Sequence, residues 1–397
     1  MYRTVLTAAL LTVLGCAAPT APAPDDTGFD PAPFDRPTTS AKIAQRNLDA
    51  TIAGQERALI ARPADPALLV SLSDALLTRS QFRGTFADLD RVKQLGAEAV
   101  AQHPEAGWAL ELRANAHQAV HAFDAAEADL RAATVLDGKD RTLAATTIWL
   151  ARGERLHEVL ALRRAAAERH PTFRNRTAVA AALGALGRYP EADAEWVAAL
   201  DAYRDVSPLP VAYVAFQRGV MWSEQADRPD RGLRLYREAV QRFPAYGVAN
   251  VHLAELEWQA GDATGAAQRL ERIRELTQDP EPTGLLSEIV AADSPTRAAA
   301  LSSQARDGYE GLFARHPLAF LDHGAEFFSG PGADPGRALR LAERNLENRA
   351  NARAYEIALN AAEAAGDRDA FCDIARRAAS ATPTVGLRQR LDDAACR

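Results

Sequence analysis

From Ala41 onward, apolar residues recur at three- and four-residue spacing, in runs of roughly 12 to 16 residues separated by short polar turns. That period predicts amphipathic helices, and a sequence full of Ala, Leu, Arg, Asp and Glu favours helix over sheet. The turns carry their own rhythm. Pro171, Pro208, Pro244, Pro280 and Pro317 follow one another at gaps of 37, 36, 36 and 37 residues, and Pro104 precedes the first by 67, close to two such units. A period of this size predicts a solenoid of stacked helix pairs, because one pair cannot bury its apolar face alone and needs neighbours on both sides.

The residues inside the units fill the pattern. In ANVHLAELEWQAGDATGAAQRLERI, Leu253 and Ala254 form the middle of a first helix and Gly261-Asp262 the turn; Ala266, Leu270 and Ile273 form the inner face of a second. Gly187, Ala192, Trp196 and Ala199 stand in the same register, as do Gly232, Tyr236, Ala239 and Pro244, and Gly366, Phe371, Ala375, Ala378 and Pro383. Ala114, Phe123, Ala126, Leu130 and Ala133 carry the pattern without the turn glycine, and Gly330-Pro331-Gly332 lengthens the turn in the irregular stretch from Leu312 to Arg344. The small residues let two helices approach closely. This arrangement resembles the tetratricopeptide repeat over most of residues 65 to 385, in about eight or nine degenerate units. The resemblance implies an all-α, right-handed superhelical solenoid of antiparallel helix pairs, with the first helices lining a concave groove. The repeat array is expected to span residues 41–397, to be elongated, and to end in a capping helix between Thr384 and Ala395.

The N-terminal region has a different character. Met1-Tyr2-Arg3 is followed by an apolar run from Val5 to Leu14, short of the roughly 20 residues a membrane-spanning helix requires. The run ends in Val13-Leu14-Gly15-Cys16, which resembles the processing site of bacterial lipoproteins. The resemblance implies that residues 1–15 are a signal peptide, that Cys16 becomes the acylated (palmitate-type) first residue of the mature chain, and that two or three acyl chains hold it at a membrane. Ala17 stands where many such proteins carry the Asp that retains them at the inner membrane, so the resemblance points to the outer membrane, facing the periplasm. Residues 16–40, rich in proline and without an apolar pattern, read as a disordered tether.

Composition changes the picture little. The 397 residues are 47% hydrophobic and 7% aromatic, and 46 basic against 53 acidic side chains give a net charge of −7, which speaks against nucleic acid as partner. HExxH, GxxxxGK[ST], CxxC and GxSxG are all missing, and no cofactor, metal or catalytic residue is assigned. His117 and His121, four apart, would form half a metal site if they shared a helix face, but chance adjacency is the better reading, because His121 falls at a turn position in the repeat register. His170 and His316, each before a proline, read as last-turn histidines whose imidazolium meets a helix dipole. Glu191, Asp193, Glu195, Glu255 and Glu257 alternate with apolar positions and read as solvated helix faces. Tyr213, Phe216, Trp222 and Tyr236 concentrate in one region, where they either pack between helices or line a peptide groove.

In an exported chain the two cysteines left after acylation of Cys16 make an even pair. Cys372 near the start of one helix and Cys396 at the end of the next fall at the same end of an antiparallel pair, which predicts a Cys372–Cys396 disulfide; two inert buried thiols are the other reading. The expected function is therefore a cell-envelope interaction or scaffolding lipoprotein that binds a peptide segment or partner subunit through its repeat surface. A structural spacer without a specific partner and an all-helical carbohydrate-active enzyme are the competing readings.

Overall fold

A computed structural model of the chain describes residues 36–393 and Cys396. Among the described residues the protein is an all-α, tetratricopeptide-like solenoid of paired antiparallel helices, with no strands. The signal peptide, Cys16 and most of the proposed tether lie outside the described residues.

The pairs run α1 (Ala41–Ala61), then α2 (Pro66–Arg83) with α3 (Ala87–Gln102), α4 (Gly107–Ala119) with α5 (Phe123–Asp137), and α6 (Thr142–Arg152) with α7 (Leu156–Arg169). They continue with α8 (Phe173–Ala185) and α9 (Tyr189–Ala202), then α10 (Pro208–Val220) and α11 (Pro229–Arg242), α12 (Gly247–Gln259) and α13 (Ala263–Arg274), and α14 (Glu281–Ile289) and α15 (Pro295–Arg315). The last are α16 (Leu321–Ser329) with α17 (Pro335–Asn348), α18 (Ala352–Ala364) with α19 (Arg368–Ala378), and the capping helix α20 (Val385–Asp393). The turns obey local chemistry. Gly187, Gly261 and Gly366 adopt the left-handed conformation that stops each first helix, and Asp262 and Asp367 accept backbone N–H bonds to start the second. Small residues sit at the helix crossings: Ala192, Ala254, Ala266, Ala358 and Ala375 are all buried. Cys372 and Cys396 form a disulfide, with Cα atoms 5.4 Å apart, that ties the capping helix to α19.

The expectation of an elongated array is corrected. The superhelix is wound so tightly that its second turn lies on its first, and residues about 200 positions apart touch. Phe82 packs edge-on against Phe243 (5.6 Å) and beside Tyr246 (4.5 Å). Phe86 meets Phe320 at 4.7 Å inside a cluster that also buries Leu89, Val120 and Leu312. Polar latches run along the same seam: Gln278 N–H donates to Gly84 O (3.0 Å), Asn348 Nδ2 to His121 O (3.0 Å) and Asn351 Nδ2 to Ala151 O (2.8 Å). Gly153 shows why the turns can close. Its φ of +75° caps α6, and a Cβ there would lie 3.0 Å from Asn351 Cα in the overlying turn. The boundary of the folded part also moves. Arg36 to Ser40, read from sequence as tether, lie against the array: Thr39 N–H donates to Val206 O (2.7 Å) and Arg242 Nη1 to Arg36 O (2.8 Å).

Candidate functional site

The first helices of successive pairs pack on one another, α12 on α14, α14 on α16 and α16 on α18, and so form the inner layer of the second turn. Several ionisable side chains of this layer are linked to one another. Chain geometry places the first of these in an unusual way. After α10 the backbone takes a π-helical turn over Met221–Gln225, and Glu224 lies within it. Such turns shift side-chain register and recur at functional sites. Glu224 Oε1 lies 2.8 Å from His252 Nδ1 on α12 and accepts from the Tyr236 hydroxyl at 3.0 Å, while Oε2 accepts from Arg353 of α18 at 3.0 Å. Arg353 also donates to Glu326 on α16 (3.1 Å). His323, likewise on α16, lies 3.2 Å from Glu281 of α14. Asp322 is buried and accepts from Arg349.

The wall is cross-linked by charge, and the charges tune one another. Burial alone would raise Glu224, but His252 and Arg353 outweigh it and hold the carboxyl down at about 2. Burial would lower His323, yet Asp322 and Glu281 push it up to about 10, so it is an imidazolium at neutral pH. Carboxylates exceed cations here. Asp279 is raised by burial and by the charge of Glu281, and Glu255 is raised by burial more than His252 lowers it. Glu288 is raised by burial and by Glu255. No cation lies within salt-bridge distance of Glu255 or Glu288 among the described residues. Glu288 also borders a recess of about 590 Å³ between α14, α15 and the Gly330–Ala333 turn.

The residues singled out in the sequence fall elsewhere. Phe216, Trp222 and Tyr236 are buried, and Tyr213 packs edge-on against Trp196 with ring centroids 6.0 Å apart. Phe216 sits among Tyr236, Tyr246 and His252. Of the two readings left open for these four aromatics, packing between helices is the one observed. His117 and His121 share no helix face: α4 ends at Ala119, and His121 sits in the turn with φ of +56° while His117 faces Asp129 at 3.1 Å. Among the described residues no group of three or more His, Cys, Asp or Glu side chains could hold a metal ion.

Two further readings are corrected. Asp193 is no solvated carboxylate: at 1% exposure it pairs bidentately with the fully buried Arg218 (2.8 and 2.7 Å) and accepts from Trp222 Nε1 at 2.8 Å. Glu257 is likewise buried and pairs with Arg269. His316 does cap the end of α15, but at 1% exposure burial lowers it more than Asp90 raises it, so it is not the imidazolium expected. Sequence reasoning missed the inner wall itself. Its members come from five helix pairs and share no motif; the only sequence cue was the placement of Glu or His near the middle of successive first helices.

Fold and wall together define a tetratricopeptide-like helical-repeat protein with a charged, net acidic inner surface. The family model described as tetratricopeptide repeat matches residues 224–289, the segment from the π-turn through α14. Solved structures with similar helical arrays include the Cut9–Hcn1 hetero-tetramer of the APC/C (12% identity, 83% of this chain and 63% of that chain, TM-score 0.42). Yeast Tom70 is another (13% identity, 89% of this chain and 92% of that chain, TM-score 0.36), as is the TPR domain of P58(IPK) (18% identity, 83% and 97%, TM-score 0.23). This chain thus spans less than two thirds of the Cut9–Hcn1 chain it matches. No curated protein matches it by sequence.

Proposed function

We propose that this chain is an interaction or scaffolding protein that holds a partner segment bearing Lys or Arg side chains against the inner wall of its second turn. The surplus of carboxylates on the first helices, above all Glu255 and Glu288, which have no cation within salt-bridge distance among the described residues, carries this reading. An ammonium or guanidinium placed beside them would offset the burial that chiefly raises both and the carboxylate repulsion that adds to it, from Glu224 and Glu326 on Glu255 and from Glu255 on Glu288. Repeat solenoids present extended surfaces of this kind to peptides and subunits, although a fold never fixes a function. A spacer without a partner would have no use for uncompensated charge held inside a superhelix. The cell-envelope setting belongs to the same reading and rests on the sequence Val13-Leu14-Gly15-Cys16: acylation at Cys16, with the body in the periplasm at the outer membrane.

The binding test is fluorescence anisotropy of a labelled Lys/Arg-rich peptide against the protein, with an acidic peptide of equal length as control. Binding confined to the basic peptide, weakening with salt and lost in the Glu255→Gln/Glu288→Gln variant, is the expected outcome. Equal binding of both peptides, or no effect of the variant, would dismiss it. The anchor is tested separately: Cys16→Ser should abolish incorporation of labelled fatty acid, and continued labelling would refute it.

A further inference from the structure

Where the second superhelical turn lies on the first, one apolar cluster joins them: Phe86, Leu89 and Val120 from below, Leu312, Ala319 and Phe320 from above. A histidine stands at each side of this cluster. His316 is 1% exposed with its ring 6.3 Å from that of Phe320, and neither ring nitrogen has a hydrogen-bond partner; Nε2 lies 3.3 Å from Asp90 Oδ1 without the alignment of a bond. His121 stacks on Phe123 at 5.4 Å, and its buried Nδ1 has no partner. Its carbonyl takes the latch from Asn348. Both rings thus sit buried in the contact between turns, and the acceptors beside them, the Leu318 carbonyl for His121 and Asp90 for His316, offset only part of the desolvation that a buried cation there would meet.

We propose that this seam is an acid-opened clasp: protonation of His121 and His316 parts the two turns at the Phe86–Phe320 cluster and widens access to the inner wall. The charged groups around each ring set the balance. His121 faces Arg349 and His323, which oppose its charging, and Asp322, which favours it; burial and the two cations prevail and lower it to about 4. His316 faces Lys93 and Arg315 against Asp90, with burial again the larger influence. A histidine lowered in the folded state leaves the seam intact above the ordinary value near 6.5. It withdraws stability as pH falls from there toward about 4. His316 caps the end of α15 and His121 lies in the turn beyond α4, outside the helix bodies, so the superhelix uncoils while its helices persist. The contact of Phe82 with Phe243 and Tyr246 contains no histidine and serves as the hinge.

Small-angle scattering and far-ultraviolet circular dichroism of the full chain, stepped from neutral pH to about pH 4, test the clasp. A rise in radius of gyration at constant ellipticity is expected, and the variant His121→Asn/His316→Gln should stay compact over the same range. Asparagine accepts the left-handed backbone of position 121. Unchanged dimensions of the wild type, or equal expansion of the variant, which would assign the opening to the carboxylates, overturns the proposal. Should the variant not fold, proton titration of the wild-type imidazole resonances decides. Titration of both rings near their ordinary value in the closed form overturns the proposal, and titration that coincides with the expansion upholds it. These readouts report shape and protonation, so they stand or fall apart from the binding of a basic peptide.

Discussion

Removing the carboxylate of Asp193 tests the energetics of this fold most sharply. The pair with Arg218 is as dry as any in the molecule: Arg218 is 0% and Asp193 1% exposed, the two guanidinium bonds are 2.8 and 2.7 Å, and the Trp222 indole shares the same carboxylate. In Asp193→Ala the buried guanidinium loses this carboxylate and both bonds to it, and the indole N–H loses this acceptor. Breaking a pair of this kind costs about 3–5 kcal/mol. Repeat arrays need not unfold in one step, so the loss is best read locally, by native-state hydrogen exchange in α9 to α11. At about 1.4 kcal/mol per decade, the amides there should lose roughly two to four orders of magnitude of protection. The double variant Asp193→Leu/Arg218→Met, which removes both charges and keeps the volume apolar, should recover most of it. A loss below about 1 kcal/mol in the single variant would mean that water reaches the pair, and the reasoning from burial would fail.

Gly153→Ala should loosen the contact between turns, because φ of +75° costs a side chain roughly 1 kcal/mol or more and its Cβ would press on Asn351 Cα at 3.0 Å; a melting temperature equal to wild type would contradict the closed superhelix. The inner wall should weaken in alkali. His323 is raised above its unfolded value, so its contribution is complete below about 6.5 and is lost as pH climbs through about 10; urea midpoints of wild type and His323→Gln should therefore converge above pH 10, and a constant gap would refute the Glu281 and Asp322 assignment. Reduction of Cys372–Cys396, which closes a separation of 24 residues, should cost about 3 kcal/mol of stability in α19 and α20 alone. Alkylation of the denatured, unreduced protein should label neither cysteine, and full labelling of both would end that assignment.

The sequence by itself determined whatever depends on residues close together in the chain. Apolar spacing specified the helices, Gly187, Gly261 and Gly366 specified where the first helix of a unit stops, and alanines at fixed offsets specified which faces touch. The pairing of Cys372 with Cys396 was legible for the same reason, since Cys372 lies on α19 and Cys396 follows the adjacent α20, and the lengths of the two helices set the register. Tertiary structure alone decided how tightly the solenoid winds. A small rotation repeated at every pair accumulates into a closed turn, and no single residue announces it; Phe86 and Phe320, Gly153 and Asn351, and Arg36 and Arg242 meet only because that sum brings them together. The same accumulation moved residues between roles. Asp193 looks solvated along its helix and is buried by the next one, and His316 looks like a helix-end cation but is covered by the first turn beneath it. The acidic wall arose in the same way, from Glu224, Glu255, Glu281 and Glu288 gathered by winding. Periodicity governs neighbours in the chain, whereas desolvation depends on everything packed around a group, and that is a property of the wound superhelix.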